Sequence, residues 1–140
     1  MDRNFGRTIN EIKKDKIKIY KSIKIANNSK NLGYKLDFTA ENISEIILKY
    51  SKYLAKIKPD FNLVYADRFE SFGSLIASTQ MNIPTIHIEG GDKTEGGTLD
   101  DNVRHAMTKL AHLHITTNEN AKKRIIKLGE EKWRVKNFGY

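Results

Sequence analysis

The chain contains no cysteine. Disulfides, thiolate nucleophiles and Cys-based zinc sites are therefore excluded, and the composition fits a reducing compartment such as the cytoplasm. Only two prolines occur, Pro59 and Pro84, each beside an apolar run. No apolar stretch approaches the roughly 20 residues that a membrane-spanning helix needs, so no membrane partner is expected. The start, Met1 to Gly6, has no apolar segment of the signal-peptide kind. There is no internal repeat and no low-complexity linker. The sequence has no G-x-G-x-x-G, no phosphate-binding Walker loop and no G-x-S-x-G elbow. His105, His112 and His114 do not follow an H-E-x-x-H spacing, so no metal is expected.

What is present suits one domain of 140 residues, 39% of them hydrophobic, enough for a core. The formal charge is +8. A basic balance can mean nucleic acid, an anionic membrane or a phosphorylated substrate. Here the excess lies in lysines spread along the chain, with loose clusters at Lys13–Lys18 and Lys122–Arg124. No aromatic interleaving accompanies it. A solvated lysine-rich surface is the expectation, and nucleic acid is not.

Patterning places the elements. Lys16–Lys21 alternates lysine with apolar residues, a weak strand signal. Asn27–Gly33 reads as a polar loop. Thr39 is a candidate cap for a helix with Ile43, Ile46, Ile47, Tyr50, Leu54 and Ile57 on one face, ended by Pro59. Phe61–Ala66 reads as a buried strand ending at Asp67. A helix over 69–81 follows, with Gly73, Ser74 and Ala77 permitting close packing. Ile83–Ile88 is a β-branched strand ending at Glu89-Gly90-Gly91. The polar loop Asp92–Thr98 leads to a helix with Asp100 and Asp101 at its start, where the helix dipole favours carboxylates. Leu113–Thr116 is the next strand, Thr117–Asn120 caps a helix that runs to about Leu128, and Val135–Gly139 is the last strand. Strands alternating with helices predict an α/β fold, a Rossmann-like parallel sheet with helices on both faces.

In an open parallel sheet, ligands bind beyond the carboxyl ends of the strands. Asp67 and Glu89 occupy that position. Asp100 and Asp101 follow on the loop-to-helix junction, and Arg104 lies one turn beyond Asp100 (i, i+4) on its face. Crowded carboxylates split their pKa values, leaving one as base and another as acid, which proton abstraction and return require. Gly90 and Gly91 would let a ligand approach the backbone. Each residue also has a purely structural role open to it. Asp67 can cap a helix, Asp100 and Asp101 can serve as helix-start charges, and Arg104 can simply pair with Asp100. His87 reads as a satisfied structural histidine. Glu89 before Gly-Gly is harder to explain structurally.

Three motifs make the reading specific: Tyr65-Ala66-Asp67-Arg68-Phe69-Glu70, Ile83-Pro84-Thr85-Ile86-His87-Ile88-Glu89-Gly90-Gly91, and Leu99 through His114. In order and spacing they resemble the hydrolysing UDP-N-acetylglucosamine 2-epimerases, in particular the branch serving sialic-acid-type nonulosonic acids. The resemblance runs from about Phe5 to Tyr140, strongest from Pro59 on. It implies a glycosyltransferase-B-type fold of two Rossmann-like domains, of which residues 1–140 match part of the N-terminal one. It implies an enzyme that needs no cofactor, takes a UDP-sugar, and forms homo-oligomers in the cytoplasm. UDP leaves by elimination across carbons 1 and 2, and water then adds with inversion at carbon 2 to release N-acetylmannosamine or a related amino sugar. Carried onto this chain, Asp67, Glu89 and Asp100 are the catalytic acids. Arg68, Gly90, Gly91, Asp101, Arg104 and His105 lie around the substrate.

The chain departs from the family pattern in two ways. No Gly-Thr-Arg-type loop after a first strand is found, and no second domain with its catalytic histidine. Residues 1–140 alone are therefore expected to lack turnover. A non-catalytic sugar-nucleotide-binding module is the alternative, and a basic nucleic-acid-binding domain is a second rival resting on charge alone.

Overall fold

A computed structural model describes residues 8–25, 38–94 and 99–139. A short helix α1 (Thr8–Lys14) precedes α2 (Phe38–Ile57), β1 (Asn62–Tyr65), α3 (Phe69–Gln80) and β2 (Thr85–Ile88). After these come α4 (Leu99–Leu110), β3 (Leu113–Thr116), α5 (Glu119–Lys127) and β4 (Val135–Asn137). The alternation read from the sequence is present from α2 onward.

Local chemistry explains most boundaries. On α2, Asn42, Ile46 and Leu54 are buried and Ile43, Ile47 and Tyr50 half-buried, the stripe expected of an amphipathic helix. Lys58 adopts a left-handed φ of 45° just before Pro59, closing the helix. Gly73 explains how α3 approaches α2, because a Cβ there would lie 2.9 Å from Cγ2 of Ile46. Asn118 caps α5 with its side chain accepting from the Ala121 amide at 2.8 Å, and Gly129 follows at φ +97°.

Two local expectations change. Thr39 lies inside α2, which starts at Phe38, and so does not cap it. The Lys16–Lys21 segment forms no strand; residues 17–25 have no regular structure. They run beside α2, where Lys49 Nζ donates to the Lys24 carbonyl at 2.6 Å and the Tyr20 and Tyr53 rings lie 6.1 Å apart. Alternation alone cannot make a strand without a neighbouring ladder. The expected loop at Asn27–Gly33 and residues 95–98 lie outside the described residues.

The four strands pair in parallel in the order β1-β2-β3-β4. Val64, Leu75, Met107 and Ala111 form the core, with Phe72, Val103 and Leu110 packed against it. That cluster joins β1, α3 and α4 on one face of the sheet, and Ile125 of α5 closes over the same face beside His87. The expectation of helices on both faces is therefore met on one face among the described residues. Each right-handed crossover steps to the next strand in the same direction, so α3, α4 and α5 all return to the same side. The uncovered face carries Leu63 and Tyr65, 55% and 56% exposed, with Ile86, Ile88, Leu113 and Ile115 partly buried.

Candidate functional site

The carboxyl ends of β1 and β2 lie side by side, with Tyr65 in register with Ile88. Past them the ladder continues for one step. The Ala66 amide donates to the Ile88 carbonyl at 3.0 Å, and the Glu89 amide to the Ile115 carbonyl at 2.9 Å. Both Ala66 and Glu89 then adopt left-handed φ values, 55° and 62°. Non-glycine residues in this region carry a cost of about 1 kcal/mol or more, and such residues gather at functional sites. The two sharp turns put Asp67 and Glu89 on one rim of the sheet.

Arg104, on the second turn of α4, organises that rim. Its Nη2 donates to Asp67 Oδ2, and its Nη1 donates to Asp101 Oδ1 at 3.0 Å and to the Asp92 carbonyl at 2.8 Å. The side chains of Asp67, Asp101 and Arg104 are 18%, 15% and 11% exposed, so the contacts are only weakly screened by solvent. Asp101 also accepts the Thr94 amide at 2.9 Å. That backbone donor holds the Asp101 carboxyl below the usual range, helped by the charges of Arg104 and His105. The sequence pairs Arg104 with Asp100 at i, i+4. The structure pairs it with Asp101 at i, i+3, because Asp101 folds back to the Thr94 amide and so faces Arg104. Asp100 is exposed on the first turn of α4.

Glu89 takes a different partner. The Tyr65 hydroxyl, from the end of β1, donates to its Oε1 at 2.7 Å. Arg68 is not part of that cluster; it pairs with Glu70 at 3.2 Å on the surface. His105 keeps a buried Nδ1 with no hydrogen-bond partner among the described residues. It borders a shallow cavity of about 190 Å³ with Lys93, Arg124 and Lys127.

The two glycines are required by the protein itself. A Cβ on Gly91, which has φ +82°, would lie 2.5 Å from the Ala121 carbonyl oxygen of α5. A Cβ on Gly90 would meet His87 Nδ1 at 3.0 Å and Ile125 and Thr108 at 3.2 Å. Both therefore let the β2–α4 loop sit tightly against α4 and α5. His87 beneath them is fully buried, and burial pushes its ring down to about 4. Asp67 thus stands on the rim as an Arg104 partner and not as a helix cap; Arg68 occupies the N-cap of α3, which has no side-chain cap bond.

Several residues of the rim escape a reading by motif. Asp92 accepts from the Thr117 hydroxyl at 2.9 Å and from the Asn118 side-chain Nδ2 at 3.0 Å, tying the β2 loop to the end of β3. Arg124 donates to the Gly91 carbonyl at 2.6 Å. The position of Asp92 directly after Glu89-Gly90-Gly91 was the available signal. Tyr65 opens the first motif, but its partner, like that of Arg124, is fixed only by strand pairing and helix packing.

The Escherichia coli polysialic acid biosynthesis protein P7 is 36% identical over 138 residues, 99% of this chain and 34% of its own length. The hydrolysing UDP-N,N'-diacetylbacillosamine 2-epimerase of Legionella pneumophila is 33% identical over 140 residues, 99% of this chain and 35% of its own. The crystal structure of the Neisseria meningitidis UDP-GlcNAc 2-epimerase bound to UDP-GlcNAc matches with a TM-score of 0.66 at 25% identity, covering 69% of this chain and 27% of that one. The chain spans about a third of the length of these curated relatives. A parallel sheet with a carboxylate-and-arginine rim, these relatives, and a family model that matches residues 1–140 agree: the chain belongs to the UDP-N-acetylglucosamine 2-epimerase family.

Proposed function

We propose that this chain supplies the acid rim of a hydrolysing UDP-N-acetylglucosamine 2-epimerase. The observation that carries the reading is the Asp67–Arg104–Asp101 cluster at the carboxyl end of the sheet, with Glu89 on the neighbouring strand end. Proton transfer by positioned carboxyl groups needs such a gathering. In the first step a carboxylate takes the proton from carbon 2 of the sugar. The freed electron pair forms the double bond between carbons 1 and 2, and the bond from carbon 1 to the UDP oxygen breaks, so that UDP leaves with the electrons of that broken bond. In the second step water gives its hydroxyl to carbon 1, and a proton reaches carbon 2 from the opposite face. The product is N-acetylmannosamine or a related amino sugar.

Asp67, Glu89 and Asp100 are the acids assigned to these transfers, with Asp67 and Glu89 on the strand-end rim and Asp100 on the helix that faces it. Arg104 sets the direction of Asp67 and offers charge toward the UDP-sugar. Arg68, Gly90, Gly91, Asp101 and His105 complete the substrate surroundings in this reading, Asp101 chiefly by anchoring Arg104. UDP-GlcNAc in the Neisseria meningitidis relative supports the substrate class. The name of the Escherichia coli relative supports a product destined for sialic-acid-type sugars. The lack of cysteine fits action in the cytoplasm, and assembly with a second copy goes with the family reading.

The test is a chimera in which residues 1–140 replace the matching segment of the Legionella pneumophila relative. UDP release from a UDP-linked 2-acetamido sugar supports the proposal. A chimera that folds and binds the sugar nucleotide but never releases UDP would instead favour a non-catalytic binding module.

A further inference from the structure

His87 has no place in the proton transfers above or in the substrate surroundings, yet it sits under the rim. It is fully buried on the covered face of β2. Its Nε2 lies 3.0 Å from the Ala66 carbonyl oxygen. A carbonyl only accepts, so the hydrogen is on Nε2 and Nδ1 is left as the acceptor. Nδ1 faces the Thr108 hydroxyl at 3.5 Å, and that hydroxyl lies 3.0 Å from the Arg104 carbonyl. Gly90 leaves the space the ring fills. The Thr108 hydroxyl gives its one hydrogen to the Arg104 carbonyl and packs against Nδ1, so the bonded path runs from His87 to Ala66, on to Asp67 and to Arg104.

Ala66 is left-handed, and its carbonyl points off the ladder toward this ring. Without a donor there, a part-buried carbonyl would lose its partner and the turn would have less to hold it. We propose that His87 is a positioning residue, its Nε2–H bond to the Ala66 carbonyl fixing the left-handed turn that aims Asp67 at Arg104. This rests on the functional reading above for its significance, though not for its geometry.

The charged and titratable groups facing the ring are Arg104 of α4, Asp67 at the end of β1, and His114 on β3. Arg104 and His114 disfavour a second proton on the ring, whereas Asp67 favours one; burial, the largest influence, keeps the ring neutral at physiological pH. A neutral ring is what the arrangement needs, since a charged one would sit beside Arg104.

The experiment uses nuclear magnetic resonance on the 140-residue chain. Long-range proton–nitrogen correlation reads the His87 tautomer, and exchange of the Arg104 guanidinium protons with water reads the Asp67–Arg104 contact. The expected result is an Nε2–H tautomer at pH 7, with exchange at Arg104 faster by about tenfold in His87→Leu and restored toward the original in His87→Gln, whose amide nitrogen reaches the position of Nε2 and can donate to the same carbonyl. An Nδ1–H tautomer, or a folded His87→Leu chain with Arg104 exchange unchanged, overturns the proposal. If His87→Leu does not fold, the tautomer in the unaltered chain decides. No sugar nucleotide is present, so failure here counts against His87 alone, whereas a chimera without UDP release counts against the functional reading.

Discussion

At the amino-terminal end of the sheet, polar groups close on one another. Tyr50 donates to Asn62 at 2.9 Å, Asn62 donates to Ser78 at 2.5 Å, and His112 meets the Thr85 hydroxyl at 3.0 Å. Its one buried carboxylate, Glu130, is pushed up by burial, but the Lys109 ammonium beside it outweighs this and holds the group below the usual range. Left-handed residues there, Lys58 and Asn82, follow helices, where such a conformation is the ordinary way to end one. At the carboxyl end the left-handed residues Ala66 and Glu89 follow strands, and the carboxylates outnumber the cations that meet them. One arginine, Arg104, is shared between Asp67 and Asp101. One end pairs its buried carboxylate with a lysine. The other keeps acids crowded and turns sharp, which stability alone does not ask for.

The comparison can be broken most forcefully at the acids. In the active chimera, Asp67→Asn and Glu89→Gln should each lower the rate of UDP release at least about a hundredfold, the usual scale for loss of a positioned acid or base. Circular dichroism should remain unchanged. Retained activity in either variant would remove that residue from the chemistry.

Acid should separate the ends next. His87 has its ring pushed by burial from 6.5 to about 4. Below pH 6.5 the unfolded chain takes up a proton that the native chain refuses until about pH 4. The stability is therefore fully present above pH 6.5 and falls away with acid, by about 3 kcal/mol across that window. Urea titrations from pH 7 to 4 should show this slope, and His87→Asn should reduce it to the part that buried His114, whose ring burial also pushes down, contributes.

Arg104→Met leaves Asp67 and Asp101 partly buried without their cation and should cost about 2–3 kcal/mol in urea unfolding. Lys49→Met removes an exposed i, i+4 partner of Glu45 and should cost less than about 0.5 kcal/mol. Equal costs would erase the distinction between a built cluster and a surface pair. The smallest effect is backbone relief. Ala66→Gly should stabilise the chain by up to about 1 kcal/mol, read as a rise in thermal midpoint, because glycine tolerates the left-handed turn.

The sequence already carried much of this. Asp67 and Glu89 stand where apolar β-branched runs stop, so the strand ends and the candidate acids are read from the same signal. The caps and stops of α5 are legible in Asn118 and Gly129, and the small residues on α3 signal close packing without naming α2 as the partner. Partner choice was not legible. Whether Arg104 takes Asp100 or Asp101 depends on the Thr94 amide, which sequence spacing does not register. The alternation at Lys16–Lys21 looked like a strand because pattern reports side-chain polarity and not the presence of a ladder. The one-sided helix layer followed from strand order, which the run of elements leaves open.

The most direct test of the acid rim is the fate of the hydrogen on carbon 2. The chimera is incubated with UDP-N-acetylglucosamine in deuterium oxide, and the released sugar is examined by nuclear magnetic resonance. Removal and return of that proton at the rim predicts free UDP and a 2-epimerised sugar with deuterium at carbon 2, and none of it in the Asp67→Asn chimera. A released sugar that keeps its original hydrogen at carbon 2 would contradict the account.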